Sequence, residues 1–567
     1  MRYPSEFREV TLSPRKVSRC AVHPLQSHLL LRRALLKKRE RTITIGLREL
    51  WQDIQLSTTT KQERYDAYVG QIARGAGISS FGMGIGQVLR YVTQVMLARM
   101  YGPTQLGFYV LGVTLVQGAL VLSQLGIDNS VVRYVADYRA KGDVSRVRGT
   151  ILLSLWLTLA LSLVLACLIF FGADFLAEKI FAKPSLGSVF RVFSVAIPFF
   201  TMMSIALWAT QGFQTVKYQT YVQYVLQPLL ILGLTVVFYL LGAQILGAVA
   251  AYVLSMVVGS ILALYYLKRI FPNLSNRNVA PQFESRALFS VAVPMSVVGL
   301  ARWGNQWGVI TVVGILATAE DVGIYNAAAG TGSLSVMVLA AFSGIFSPIV
   351  ASLYSRGLLD DLSLLYQDVS RWIFAGSLTI FLLTILLAKD IMSVFGDDFI
   401  SGWPAMALLS VAQLFNCSVG PTNRILAMTG HQRIYMVAIL SSTVVGLTAS
   451  VALVPLYGVL GAAIAMAAGI VLFNAVAVLF VRRLLGVWPY NRHWLKLLVA
   501  GSMAAATTLL ARLALPLPYG LPTILVISPV FLMTFVVSVL ILGLSVSDRE
   551  VLKALWTAVR RAVQREA

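Results

Sequence analysis

The chain has 567 residues, of which 57% are apolar and 12% are charged, and its mean hydropathy is +0.77. This composition excludes an ordinary soluble globular protein and predicts an all-α polytopic membrane protein. We attribute the net charge of +22 to cytoplasmic loops that face anionic lipid; nucleic acid is not an expected partner, because the only candidate soluble segment carries no nucleic-acid motif.

The predicted elements begin with a basic cytoplasmic tail, residues 1–71, which lacks the apolar core of a signal peptide. Windows of about 20 apolar residues then predict fourteen transmembrane helices, called here spans 1 to 14. The spans start near positions 75, 106, 150, 187, 220, 245, 289, 323, 372, 403, 435, 458, 495 and 521. After span 14, residues 548–567 are predicted to form an amphipathic helix at the cytoplasmic membrane surface.

The orientation of the spans is predicted from the basic residues between them. Lys and Arg concentrate in alternate connections, such as residues 128–149. The opposite connections carry five: Arg99, Lys179, Lys183, Lys389 and Arg512. Because cytoplasmic loops retain basic residues, both termini are predicted to be cytoplasmic, in a multi-pass protein of the cell inner (plasma) membrane.

An internal repeat relates the first six spans to the next six. The stretch "LGFYVLG" from Leu106 matches "VGIYNAA" from Val322, so that Gly107 aligns with Gly323 at an offset of 216 residues. The stretch "ILGAVAAYV" from Ile245 matches "VLGAAIAMA" from Val459 at a similar offset of 214 residues. Two matches in the same order at nearly one offset indicate a duplication.

The repeat predicts the domain organisation. Residues 72–270 form an N-lobe of spans 1–6, and residues 285–484 form a C-lobe of spans 7–12. Six spans are an even number, so both lobes have the same orientation and are related by a pseudo-two-fold axis along the membrane normal, with a substrate cavity between them. Residues 494–545 add spans 13 and 14.

Charged groups inside the spans point to the kind of substrate. Arg302 lies halfway along span 7, and Arg90 in the outer half of span 1 aligns with Gln306 in the repeat. Such groups are costly in the bilayer and normally face a cavity or a partner, although Arg191, at a span end, can snorkel to the headgroups. No Asp or Glu lies well inside a span. A cationic cavity without acids suits an anion and binds phosphate through paired guanidinium donors.

The candidate site follows from these positions. The predicted substrate-binding residues, which include amides close to the two arginines, are Arg302, Arg90, Asn305, Gln306, Gln94 and Asn326. Asn305 and Gln306 are expected on the helix face of Arg302 because they follow it by three and four residues. The predicted hinges are Pro294, Gly304 and Gly308 in span 7. No metal or cofactor site is expected.

Several motifs resemble those of one transporter family. The stretch from Arg74 to Leu115 resembles the opening of the polysaccharide-unit flippases, a branch of the multidrug/oligosaccharidyl-lipid/polysaccharide exporter superfamily. "RYVADYRAKGD" from Arg133 resembles the connection after their second span, and "QGFQTVKY" from Gln211 and "MTGHQRIY" from Met428 resemble the turns before spans 5 and 11. The resemblance implies a protein that moves a prenyl-pyrophosphate-linked oligosaccharide to the outer leaflet, for lipopolysaccharide or exopolysaccharide synthesis.

Other functions are kept as alternatives. A multidrug or organic-cation exporter of the same superfamily is disfavoured because such exporters need an intramembrane carboxylate. An enzyme is not expected, because the acids of the short outer loops are interpreted as solvated charges: Asp174, Glu178, Asp390, Asp397 and Asp398. A scaffold that recruits glycan-assembly enzymes remains a third class. Expected partners are the lipid-linked oligosaccharide and membrane lipids, with a glycan polymerase and glycosyltransferases as further candidates.

Overall fold

The computed structural model describes residues 82–276, 278–515 and 518–543 of the chain. The predicted N-terminal tail and the predicted C-terminal amphipathic helix lie outside these residues. Within them the regular secondary structure is helical throughout, without a β-strand. The predicted all-α polytopic fold is therefore confirmed.

The helices are numbered here in chain order. The first six are α1 Gly82–Gln124, α2 Ile127–Ala140, α3 Val144–Phe171, α4 Leu186–Gly212, α5 Lys217–Leu240 and α6 Ile245–Ile270. The next seven are α7 Ser285–Leu316, α8 Ala319–Gly332, α9 Val336–Ser355, α10 Leu359–Leu386, α11 Trp403–Val419, α12 Thr422–Met428 and α13 Gln432–Leu485. The last two are α14 Trp494–Ala514 and α15 Leu521–Ile541.

The number of membrane crossings depends on two long helices. In the described residues, ten helices are long and apolar enough to cross a membrane, or eleven if the bent pair α8 and α9 forms one span. Helix α1 has 43 residues and α13 has 54, each far longer than the roughly 20 that a bilayer requires. Gly102 in α1 and Gly458 in α13 have positive φ, so each helix is broken into two. The count of fourteen spans stays a prediction.

Local chemistry explains several helix ends. The Asp143 carboxylate accepts a hydrogen bond from the Arg146 backbone N–H and caps the start of α3. Thr318 and Asp321 form a reciprocal capping box that begins α8. Gly486 ends α13 in the left-handed conformation, where a side chain would be strained. These caps fix where the chain turns between membrane helices.

The helices pack into two groups that correspond to the predicted lobes. Helix α4 packs on α3 and α6, and α11 packs on α10 and α13. The connection between the groups is held by the start of α3: Arg148 donates to the Leu274 carbonyl oxygen, and the backbone N–H of Gln282 donates to the Ser145 carbonyl oxygen. Glu284 pairs with Arg146 at 2.9 Å. The connection is therefore folded against the N-lobe.

A symmetric close approach joins the two groups. A Cβ placed on Gly107 would overlap the Ala319 carbonyl oxygen, and one placed on Gly323 would overlap the Pro103 carbonyl oxygen. Position 319 follows position 103 by the same 216 residues that separate the two glycines. The two contacts are therefore equivalent under the repeat, which supports the predicted pseudo-two-fold axis.

The added helices α14 and α15 are joined to the rest by a buried ion pair. Asp390 is fully buried, its Oδ2 lies 2.8 Å from Arg512 Nη2, and its Oδ1 accepts from the Gly520 backbone N–H. The prediction that Asp390 is a solvated loop charge is wrong. Asp174 likewise pairs with Arg191. Neither pairing is visible in the sequence, because the partners are far apart in the chain or in separate helices.

We expect an Asp390→Asn variant to lose about 3 kcal/mol of stability, because removing one partner leaves the half-buried Arg512 without its counter-charge. The melting temperature of the purified protein in detergent measures this. Asp397→Asn is the matched control, since Asp397 is an exposed acid in the same region. Equal melting temperatures for the two variants would contradict a stabilising role of the pair.

Candidate functional site

A cavity of about 270 Å³ lies where the two lobes meet. It is lined mainly by α1, α4, α5 and α6, with one residue each from α7 and α8. Three of the six predicted substrate-binding residues line it, namely Arg90, Gln94 and Asn326. This cavity is called the main cavity below.

Hydrogen bonds across the lobe interface frame the main cavity. The Gln94 side-chain amide donates to the Asn326 backbone carbonyl oxygen at 2.9 Å. One turn away, the Tyr91 hydroxyl lies 3.0 Å from the Thr331 hydroxyl. Both bonds join α1 of the N-lobe to α8 of the C-lobe. Relative movement of the lobes must therefore change the wall of the cavity.

Arg90 supplies the positive charge of the main cavity. Its guanidinium lies 5.9 Å from the centroid of the Tyr224 ring. This distance allows a cation–π interaction, which is weaker than a salt bridge in an apolar site. In the part of the chain that the structure describes, the guanidinium makes no hydrogen bond to a protein acceptor. Its five N–H donors are available to an anionic ligand.

Arg302 lies in a different and smaller cavity. This second cavity, about 60 Å³, is lined by Arg302 together with Gln124, Asp128 and Ser296. Asp128 begins helix α2, just beyond the end of α1, and thus outside the candidate membrane spans. Burial raises the pKa of the Asp128 carboxyl, against the opposing effects of Asn129 hydrogen bonds and the Arg302 charge. An anion at Arg302 would compete with this carboxylate.

The two remaining predicted residues line neither cavity. The Asn305 amide donates to the Ser442 hydroxyl of α13 at 3.0 Å, and Gln306 is exposed. The five residues Gly304–Gly308 form a π-helical turn, which changes the direction in which successive side chains point. The expectation that Asn305 and Gln306 share the face of Arg302 assumed a regular α-helix. The single cluster of six residues predicted from the sequence is therefore divided.

The predicted hinge glycines are sites of close helix packing. A Cβ on Gly304 would lie 2.8 Å from the Thr443 methyl carbon, and a Cβ on Gly308 would lie 2.6 Å from a Leu447 methyl carbon. Pro294 lies inside the preceding regular part of α7. The π-helical turn between the two glycines is an irregularity of the kind at which helices bend. The hinge role itself remains a prediction.

Sequence reasoning missed several residues of the main cavity. Trp307, interpreted from the sequence as a packing residue, contributes to its wall, as do Gln117, Gln223 and Gln227. A signal for the last two was present, because "QTYVQYVLQ" places glutamines at positions 219, 223 and 227. A spacing of four residues puts polar side chains along one face of a membrane helix.

The end of the bundle assigned by the sequence to the outer face is closed by two cations. Lys183 Nζ donates to the carbonyl oxygens of Gly314 and Ala317, at 2.6 and 2.8 Å. Arg99 donates to the carbonyl oxygens of Ser393 and Val394, at 2.7 and 2.6 Å. Each cation belongs to the N-lobe, and each acceptor belongs to the C-lobe. With the contacts at Gly107 and Gly323, these bonds hold the lobes together at this end.

Comparisons with known proteins agree with this architecture. A family model described as "Polysaccharide biosynthesis protein" matches residues 72–353. Stage V sporulation protein B of Bacillus subtilis (strain 168) is 25% identical over 186 residues, and the match covers 32% of this chain and 36% of that relative. The chain thus matches only about a third of that relative's length.

Two solved structures have the same fold. The lipid II flippase MurJ in an inward closed conformation gives a TM-score of 0.66 at 11% identity, covering 81% of this chain and 97% of that chain. An inward-facing multidrug resistance MATE family transporter of the MOP superfamily gives 0.63 at 17% identity, covering 72% of this chain and 98% of that chain.

Fold and family match together define the class of the protein. It is a multi-pass membrane protein of the MOP (multidrug/oligosaccharidyl-lipid/polysaccharide) superfamily of transporters and flippases. Within that superfamily it is similar to the polysaccharide biosynthesis proteins, and the resemblance identified in the sequence motifs is confirmed.

Proposed function

We propose that the protein flips a prenyl-pyrophosphate-linked oligosaccharide from the cytoplasmic to the outer leaflet of the cell inner membrane, with both termini in the cytoplasm. The observation that carries the proposal is a main cavity at the lobe interface whose lining, among the described residues, contains one arginine, several amides and no carboxylate. An organic-cation exporter requires the opposite polarity. The prenyl chain stays in lipid while the headgroup crosses between the lobes.

Transport then proceeds in two stations. The pyrophosphate first replaces Asp128 as the partner of Arg302 in the second cavity. It then moves to Arg90 in the main cavity, where Gln94 and Asn326 offer hydrogen bonds. Rocking of the lobes about Pro294, Gly304 and Gly308 opens the outer end. A negative cytoplasm favours outward movement of each negative charge by about 2.3 kcal/mol per 100 mV.

The proposal places the protein between two enzymatic steps. Glycosyltransferases assemble the oligosaccharide on the cytoplasmic side, and a glycan polymerase uses it on the other side. Either enzyme is a candidate partner in the membrane.

Complementation tests the function. A bacterial host depleted of its own lipid-linked-oligosaccharide flippase is expected to regain surface glycan when this protein is expressed. The matched control is the same host with the empty vector. If instead the protein gives resistance to cationic drugs in a sensitive host, and surface glycan stays absent, the multidrug exporter replaces the flippase as the function.

A further inference from the structure

We infer that one wall of the main cavity is a binding track for the uncharged sugar portion of the substrate; this inference rests on the proposed flippase function. The track consists of Gln211, Gln219, Gln223 and Gln227, called here the amide row. It begins at the C-terminal end of α4 and continues along α5 into the main cavity. Nothing in the family match or in the sequence motifs assigns a role to these four side chains.

The amide row is a directed chain of hydrogen bonds. The Gln211 amide donates to Gln219 Oε1 at 2.7 Å, and the Gln219 amide donates to Gln223 Oε1 at 3.1 Å. Each step of four residues advances about 6 Å along the helix. The chain starts near the polar turn before α5, which the sequence assigns to the cytoplasmic side. It therefore leads from that side to the cavity.

The row ends with unused hydrogen-bonding capacity. Within the described ranges, Gln223 accepts from Gln219 but its own NH₂ group makes no hydrogen bond. The Gln227 amide has only the Met256 sulfur as an acceptor, at 3.4 Å, and sulfur accepts weakly. Side chains whose only task is to join helices would use this capacity on a neighbouring helix. These two side chains line open space in the main cavity instead.

The chemistry of the cavity fits a sugar better than a second phosphate. A primary amide offers two donors and one acceptor, and sugar hydroxyls can both donate and accept. Further lining amides belong to Gln117 and Asn326, while Trp307 adds an aromatic ring suited to the apolar face of a sugar. Arg90 is the one charged side chain among the lining residues that the structure describes. The pyrophosphate is therefore assigned to the two arginines and the glycan to the amide row.

Binding of two lipids to the purified full-length protein tests the assignment. The probes are undecaprenyl pyrophosphate without sugar and the same lipid with an attached neutral oligosaccharide. We expect Gln223→Leu/Gln227→Leu to weaken binding of the glycan-bearing lipid about tenfold, since two hydrogen bonds are lost, and to leave binding of the sugar-free lipid unchanged. Gln413→Leu is the matched control, because Gln413 is a half-buried glutamine of α11 that does not line the main cavity.

Two further measurements keep the inference testable if the double variant folds poorly. Gln223→Asn keeps the amide, and is expected to retain more of the glycan preference than Gln223→Leu. The free oligosaccharide is expected to displace the glycan-bearing lipid from the unmodified protein and to displace sugar-free lipid poorly. An equal loss for both lipids, or no loss for either, overturns the sugar track alone. Failure of the unmodified protein to bind either lipid overturns the proposed function together with it.

Discussion

Gly107→Val is expected to reduce transport about 100-fold while the protein still inserts in the membrane. The added side chain would overlap the Ala319 backbone carbonyl, and backbone atoms cannot move aside as a flexible side chain can. An overpacking cost of about 3 kcal/mol at a contact made only when the outer end is closed shifts the conformational equilibrium by roughly that factor. Gly323→Val, at the equivalent contact with Pro103, is expected to behave alike.

The trapped state can be observed directly. A Val113→Cys reporter in the main cavity, in a protein without its native cysteines, is expected to react faster with a membrane-impermeant thiol reagent added outside when Gly107 is replaced by Val. Gly84→Val is the matched control in the same helix, because a Cβ there meets nothing within 4 Å. Unchanged transport and unchanged labelling in Gly107→Val would show that the contact is not part of an outer gate.

The glycine contacts illustrate what the sequence could predict. The match of Gly107 to Gly323 arises from duplication, and a duplicated residue at a symmetric interface must meet an equivalent partner. Hydropathy and charge bias depend on the membrane rather than on tertiary contacts, so the all-α polytopic fold was also accessible. The domain arrangement could be predicted to the same extent, because it follows from the repeat.

The details of the site were less accessible for a physical reason. The repeat register gives the depth of a residue in the bilayer but not the direction of its side chain, so Arg90 and Arg302 were predicted in one cavity. The π-helical turn that directs Asn305 toward Ser442 has no clear sequence signature. Burial of Asp390 depends on Arg512 and Gly520, more than 120 residues away. The amide row, in contrast, was legible as a four-residue spacing.

The two arginines are expected to have separate, large effects on transport. Arg302→Ala removes the first phosphate contact, and Arg90→Ala removes the contact in the main cavity. A charge-assisted hydrogen bond contributes about 1.5–3 kcal/mol, so each variant is expected to reduce surface glycan in the complementation assay at least about tenfold. Arg90→Lys should keep part of the activity, since an ammonium keeps the charge but loses the paired donors of guanidinium.

Asp128 distinguishes a binding role of Arg302 from a structural one. If Arg302 serves only to neutralise this carboxylate, the double variant Arg302→Ala/Asp128→Asn would recover transport, because the uncompensated charge is gone. If Arg302 binds pyrophosphate, the double variant stays inactive although its membrane abundance is normal. Arg191→Ala is the matched control, since Arg191 is an exposed arginine paired with Asp174 outside both cavities and is expected to have little effect. Full transport by Arg302→Ala itself would remove the first station from the mechanism and leave Arg90 as the sole phosphate contact.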